Sequence, residues 1–295
     1  MLRREFRHAD NGEMKLKKMA KTLELLALPA FADNYIWLLH DGKDALVVDP
    51  GDAQPVQAVL QQLGLRLRHI FITHHHHDHI GGLAALLHQY DAQVWTAQHP
   101  HIQAGIPVGS KVQTLSGGEA FDALGLHWQV LAAPGHTLSH VLFYAPGSPT
   151  VPGQDEVQAL LFCGDTLFSA GCGRLFEGSP AQMLETLAAI NRLPSQTQIC
   201  CAHEYTLTNL RFAASVYPSN SAVLEHLEQC QQMRAQGRPT LPSTLAQERR
   251  FNPFLQSLDL GAHPALPLHL AGFFTDSPDA LSVFSALRTL RNDFS

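Results

Sequence analysis

The chain has 295 residues, 45% hydrophobic and 16% charged, with a net charge of −6. That describes an ordinary globular protein with room for one large domain, or for a domain and a smaller companion. The charge gives no footprint for nucleic acid, and no apolar run approaches the roughly 18 to 20 residues that cross a bilayer.

Residues 1–22 are polar and basic and lack the apolar core of a signal peptide. They read as a disordered extension, with Met14 or Met19 as alternative starts. From Leu23 onward, short apolar or alternating runs at residues 24–28, 35–40 and 45–49 predict strands separated by turns. Residues 54–63 follow as an amphipathic helix, with Val56, Val59, Leu60 and Leu63 on one stripe. An apolar strand then enters the His-rich stretch Thr73–His79, followed by a helix through Tyr90 and a strand at 93–97. Further strands are expected at 109–115, 119–123, 126–132, 140–145 and 158–163, with residues 146–155 as a long hairpin loop. Ser179 as N-cap and Pro180 at the first helical position open a helix over 180–191. Residues 198–202 read as the last strand. After Glu204 the pattern turns helical (205–216, 221–236, 279–290). This predicts an α/β domain over residues 23–203 and a mostly helical domain over 204–295.

The stretch Thr73-His74-His75-His76-His77-Asp78-His79 carries the chemistry. In an extended turn alternate side chains share a side, so His74 and His76 can close on one ion. Asp78 and His79 fall where the chain curls into the helix and face a neighbouring point. Imidazole and carboxylate suit borderline divalent ions. Three more candidates each follow a strand: His136, Asp165 and His203. Seven ligands suit two ions, with His74, His76 and His136 on the first and Asp78, His79 and His203 on the second. Asp165 would bridge both. Two divalent ions roughly 3.5–4 Å apart hold a hydroxide and lower its pKa from 15.7 toward about 7. Asp165 would hold that bridging hydroxide between the ions, and Asp78 could also orient it. His75 and His77 read as supporting or solvated. The five cysteines (Cys163, Cys172, Cys200, Cys201, Cys230) are odd in number and include no CxxC pair. They predict buried free thiols in a reducing compartment.

With these residues in place, the chain resembles the metallo-β-lactamase superfamily and, within it, glyoxalase II, the hydroxyacylglutathione hydrolases. The likeness rests on Thr73 to His79, Gly164 to Phe168 and His203 to Thr206. It extends to Leu28–Trp37, Gly171–Gly178 and Asn252-Pro253-Phe254. The resemblance implies an αββα sandwich carrying a C-terminal helical domain that helps build the substrate site. It also implies hydrolysis of S-D-lactoylglutathione to glutathione and D-lactate in methylglyoxal detoxification. Two divalent ions are implied, zinc first, with iron or manganese as alternatives. Matched family positions make Arg174, Phe176, Tyr205, Arg288 and Arg291 the contacts to the glutathione thioester. A cytoplasmic monomer with no nucleic-acid or membrane partner is the accompanying expectation.

Two positions depart from the family pattern: Phe176 lacks a tyrosine hydroxyl, and Gln256 stands where relatives often carry arginine. Rival readings are a lactonase, a β-lactamase, a persulfide dioxygenase or a non-catalytic metal-bound scaffold. Asp165 argues against the β-lactamases. The helical tail with Asn252-Pro253-Phe254 favours glyoxalase II over the dioxygenase.

Overall fold

Apolar alternation in short segments leaves each strand one face or two to bury, and here the strands solve this by forming two six-stranded sheets. The computed structural model describes residues 23–147, 158–259 and 278–294. The expected extension over 1–22 and most of the 146–155 loop lie outside the described residues.

The first sheet follows chain order: β1 (Glu24–Ala30), β2 (Asn34–His40), β3 (Asp44–Val48), β4 (Arg66–Ile72), β5 (Gln93–Ala97) and β6 (Lys111–Leu115). β1 to β3 are antiparallel and β3 to β6 parallel. Parallel neighbours need crossovers. These are α1 (Ala53–Leu63), then α2 (His77–Ile80) with α3 (Leu83–Gln89), then α4 (Pro100–Ala104).

The second sheet contains β7 (Ala120–Ala123), β8 (Leu126–Ala132), β9 (Val141–Ala145) and β10 (Leu160–Gly164). A small hairpin of β11 (Leu167–Phe168) and β12 (Gly171–Cys172) stands apart. The crossover helix α5 (Pro180–Asn191) then leads to β13 (Gln198–Cys201), which lies parallel to β10. Ser179 and Gln182 form a reciprocal capping box at the start of α5.

Aromatic pairs hold the sheets face to face. Phe71 of β4 stacks on Phe143 of β9 at 4.5 Å and meets Trp128 of β8 edge-on at 5.1 Å. Trp95 of β5 stacks on Phe121 of β7 at 3.7 Å. Each fully buried phenylalanine contributes about 1.5–3 kcal/mol relative to leaving it exposed. α1 and α3 pack together beside β1. α5 buries Met183, Leu187 and Ile190. The result is the expected αββα sandwich.

Among the described residues five helices follow: α6 (Thr206–Val216), α7 (Ser221–Ala235), α8 (Leu245–Phe251), α9 (Pro253–Gln256) and α10 (Ala280–Asp293). Leu210, Ala213, Val223, Cys230 and Phe251 give this region a small core of its own, closed by Ala170.

Two expectations need correction. Residues 198–202 are not the last strand: β14 (Ser243–Thr244) pairs antiparallel with β13. Two residues are too short to show alternation, so the pairing is invisible in the sequence. The helix expected to open at Gly81 and run through Tyr90 starts two residues later, as α3. A side chain at Gly82 would meet the Ala53 amide nitrogen at 2.5 Å, so close packing against the start of α1 demands glycine there. All five cysteines are free and buried, as expected. Among the described residues, no helix is long and apolar enough to cross a membrane.

Candidate metal centre

The ends of β4, β8, β10 and β13 deliver the candidate ligands to one edge of the sandwich. Beyond Ile72, Thr73 and His74 remain fully buried, and the chain stays extended until α2 opens after His76. His136 follows β8, Asp165 follows β10 and His203 follows β13. Gly164 places Asp165 by taking φ +47°, and a side chain there would strike the Thr73 hydroxyl at 2.5 Å. Gly51 does the same for α2, since a Cβ would lie 1.9 Å from the Asp78 carbonyl oxygen.

All seven expected ligands come together. His74, His76, His136 and Asp165 present donor atoms within 4.8 Å of one another, and so do Asp78, His79 and His203. Asp165 faces both sets. Its Oδ2 is 3.4 Å from His136 Nε2, while its Oδ1 is 3.4 Å from His79 Nε2 and 3.3 Å from His203 Nε2.

The donor set fits two divalent ions. His76 Nδ1 lies 3.1 Å from His74 Nε2 and 3.0 Å from His136 Nε2. Three ring nitrogens converging at that range share a cation far better than they share protons. Asp165 Oδ1 and His79 Nε2 are buried with no hydrogen-bond partner among the described residues. Such orphaned atoms carry a cost of about 1–3 kcal/mol each unless something satisfies them.

Outer partners orient the imidazoles. His136 Nδ1 donates to the Arg174 carbonyl at 2.7 Å, and His203 Nδ1 donates to Asp33 Oδ1 at 2.8 Å. His74 Nδ1 is 3.1 Å from the Thr73 hydroxyl, which donates to Asp49 Oδ2 at 2.7 Å. The same Asp49 oxygen lies 3.1 Å from His79 Nδ1. Asn34 Nδ2 donates to Asp78 Oδ2 at 3.0 Å. Asp33, Asn34 and Asp49 were not singled out from the sequence as part of the site. The signal available was a polar residue closing an apolar strand or opening the next, in the Asp33-Asn34 turn and in Asp49-Pro50-Gly51. Asp49 holds φ +52°, an unusual backbone for a residue with a side chain.

Electrostatics divide the two sets. Burial holds His74 well below the usual histidine range, helped by the neighbouring His79 charge, and burial also lowers His76 and His136. For His79 and His203 burial works against the charged form, but the Asp165 carboxylate outweighs it. His79 is raised well above its ordinary value and His203 is pushed up to about 10. Burial opposes ionisation of Asp165 as well. The His79 and His203 charges overcome it and hold the carboxyl well below its usual range.

The expected substrate residues divide. Tyr205 stacks on His203 with ring centroids 4.7 Å apart, and Phe176, 61% exposed, meets His136 edge-on at 5.3 Å. Arg174 is exposed beside them. Arg288 is only 7% exposed and donates to the Cys172 carbonyl at 2.7 Å, while its guanidinium stacks over Phe254. Arg291 donates to Asn209 Oδ1 at 3.2 Å. Gln256 is buried, and its amide donates to the Arg250 carbonyl at 2.9 Å. His77 is exposed, and His75 turns away from both ligand sets toward His99.

Residues 31–203 match the family model "Metallo-beta-lactamase superfamily", and residues 204–294 match "Hydroxyacylglutathione hydrolase C-terminus". A hydroxyacylglutathione hydrolase of Albidiferax ferrireducens is 48% identical over 272 residues, which is 92% of this chain and all of that protein. Among solved structures, a metallo-beta-lactamase from Staphylococcus aureus superposes with a TM-score of 0.57 at 18% identity, covering 92% of this chain and 72% of that one. TTHA1623 in a di-iron-bound form superposes with a TM-score of 0.51 at 25% identity, covering 79% of this chain and all of that one. The chain therefore belongs to the hydroxyacylglutathione hydrolase family of the metallo-β-lactamase superfamily.

Proposed function

We propose that this chain hydrolyses S-D-lactoylglutathione, and S-2-hydroxyacylglutathiones as a class, to glutathione and the free hydroxy acid, so removing methylglyoxal. The observation that carries this reading is Asp165, one buried carboxylate faced by both ligand sets at the open ends of four strands.

His74, His76 and His136 with Asp165 would hold one divalent ion, and Asp78, His79 and His203 with the same Asp165 would hold the other. Such a pair supplies Lewis acidity and a water nucleophile at neutral pH. The protein's own residues do the rest. Asp33, Asp49, Thr73 and the Arg174 carbonyl keep each imidazole aimed inward. Asp78, steadied by Asn34, is placed to accept a hydrogen bond from the attacking water. A thioester needs little else, because a thiolate leaves without strong protonation.

The substrate side is assigned to the rim. Arg174 supplies positive charge to the glutathione carboxylates, with Arg288 and Arg291 on α10 behind it. Phe176 and Tyr205 flank the acyl end. Burial and the nearby Asp33 charge raise the Tyr205 pKa, so its phenol stays protonated and able to donate. We assign catalysis to residues 23–203, which also supply the substrate contacts Arg174 and Phe176, and the remaining substrate contacts to the substrate-binding domain over residues 204–295. Histidine and carboxylate donors suit zinc, and they also admit iron or manganese. Free buried thiols fit a reducing cytoplasm, and the net charge of −6 argues against a nucleic-acid partner. The enzyme is expected to act as a monomer away from membranes.

The test is loss of thioester absorbance with S-D-lactoylglutathione, alongside metal content. Turnover with about two ions per chain is expected. An inactive protein that still holds two ions would reject this substrate and turn attention to lactones or persulfides.

A further inference from the structure

A second histidine cluster stands outside the dinuclear centre. His75, His99 and His101 present ligand atoms within 4.8 Å of one another. They meet because β4 and β5 are parallel neighbours whose carboxyl ends open side by side. His75 follows β4, His99 caps α4 after β5, and His101 lies in the first turn of α4. Side chains alternate along the extended His74–His76 segment, so His75 projects away from the centre its two neighbours serve. The ring distances agree: His74 and His76 are 4.7 Å apart, but His74 and His75 are 6.4 Å apart.

The cluster gathers three imidazoles and a carboxylate at one place. The His75 and His99 rings stack face to face at 3.7 Å, and His101 sits 5.0 Å from His99 and 5.7 Å from His75. His75 Nδ1 is buried with no hydrogen-bond partner among the described residues, and its Nε2 lies 3.4 Å from Glu177 Oε1. Two imidazole nitrogens on one tetrahedral ion sit roughly 3.3 Å apart, given metal–nitrogen bonds of about 2.0–2.1 Å. An imidazole lone pair lies in its ring plane, so holding one ion requires the stacked His75 and His99 rings to turn toward a common point; His101 is exposed on a short helix and free to follow. Glu177 adds a carboxylate on the same side.

We infer that His75, His99 and His101 form a third site, separate from the dinuclear centre, for a borderline divalent cation such as zinc or nickel. This site does not depend on which thioester the enzyme cleaves. Its occupancy would tie the segment carrying His74 and His76 to the segment carrying Phe176 and Glu177.

The experiment takes the full chain preloaded with two equivalents of zinc and titrates further zinc by equilibrium dialysis, with metal quantified in each compartment. A third equivalent at micromolar free zinc is expected. The double variant His99→Asn with His101→Gln should bind two equivalents only, with turnover unchanged, since asparagine preserves the cap on α4. His101→Gln alone, at an exposed position, should weaken the third equivalent at least tenfold and serves as the readout if α4 is disturbed. Substituting cobalt for the third equivalent should add a visible absorption band that both variants lack. Only two equivalents in the unaltered protein, or a third that survives both variants, would overturn the site.

Discussion

The two ligand sets use the same kinds of side chain yet stand in opposite electrostatic states. In the first, His74, His76 and His136 are lowered by burial and present lone pairs. In the second, His79 and His203 are raised, because Asp165 and Asp78 face them and Asp49 and Asp33 stand behind. Their outer supports differ in the same way. His136 leans on a backbone carbonyl, whereas His203 leans on a carboxylate. In the metal-free protein burial favours the neutral imidazole in the first set, and the facing carboxylates favour the protonated one in the second. Ligand identity alone does not set metal affinity, because the surrounding charge decides how hard the proton competes.

Removing the shared group breaks the comparison most severely. Asp165→Ala is expected to cut turnover at least about a thousandfold, the upper range for loss of one electrostatic stabiliser, and to lower metal content in both sets. A variant retaining two ions and most of its activity would remove Asp165 from its bridging role. Next in size, Asp33→Ala should weaken the second set alone, by about 10- to 100-fold. Metal content at limiting free zinc would then fall from two ions toward one, while equal weakening of both sets would count against independent supports.

The metal-free protein sharpens the contrast through pH. His203 has a folded pKa of about 10 against about 6.5 unfolded. Its contribution to stability is therefore complete below about 6.5 and is lost as pH rises toward about 10. The lowered imidazoles of the first set act oppositely and cost stability as pH falls below about 6.5. Thermal melts of the metal-free chain should therefore show an alkaline decline that His203→Gln reduces, with the raised His79 supplying the remainder. An unchanged alkaline limb in that variant would refute the assignment.

The smallest effect lies at the rim. Phe176→Tyr offers glutathione a new hydroxyl and should lower KM about two- to tenfold, the worth of one neutral hydrogen bond. Because the ring lies beside His136 but outside the ligand sets, kcat should hold. A change in kcat without one in KM would place Phe176 in the chemistry instead.

Much of this was legible in the sequence. Short alternating runs and cap residues marked most elements, because burial periodicity is a local property. The Thr73–His79 motif pointed to a candidate metal centre, because donor chemistry belongs to residue type and spacing. β14 escaped notice because two residues carry no periodicity, and the later start of α3 beyond Gly82 because its cause is the distant start of α1. The outer supports Asp33 and Asp49 read only as turn formers, since their partners lie 170 and 24 residues away.

What the amino-acid order determined by itself was the set of possible ligands, the strands that carry them and the switch to helices after Glu204. The tertiary structure alone decided which imidazoles face carboxylates, that Arg288 donates to a backbone carbonyl, and that His75 meets His99 and His101 instead of the centre. The physical reason is that proton affinity, burial and convergence at a strand edge depend on groups far apart in the chain, whose fields and contacts exist only once the sheets have closed.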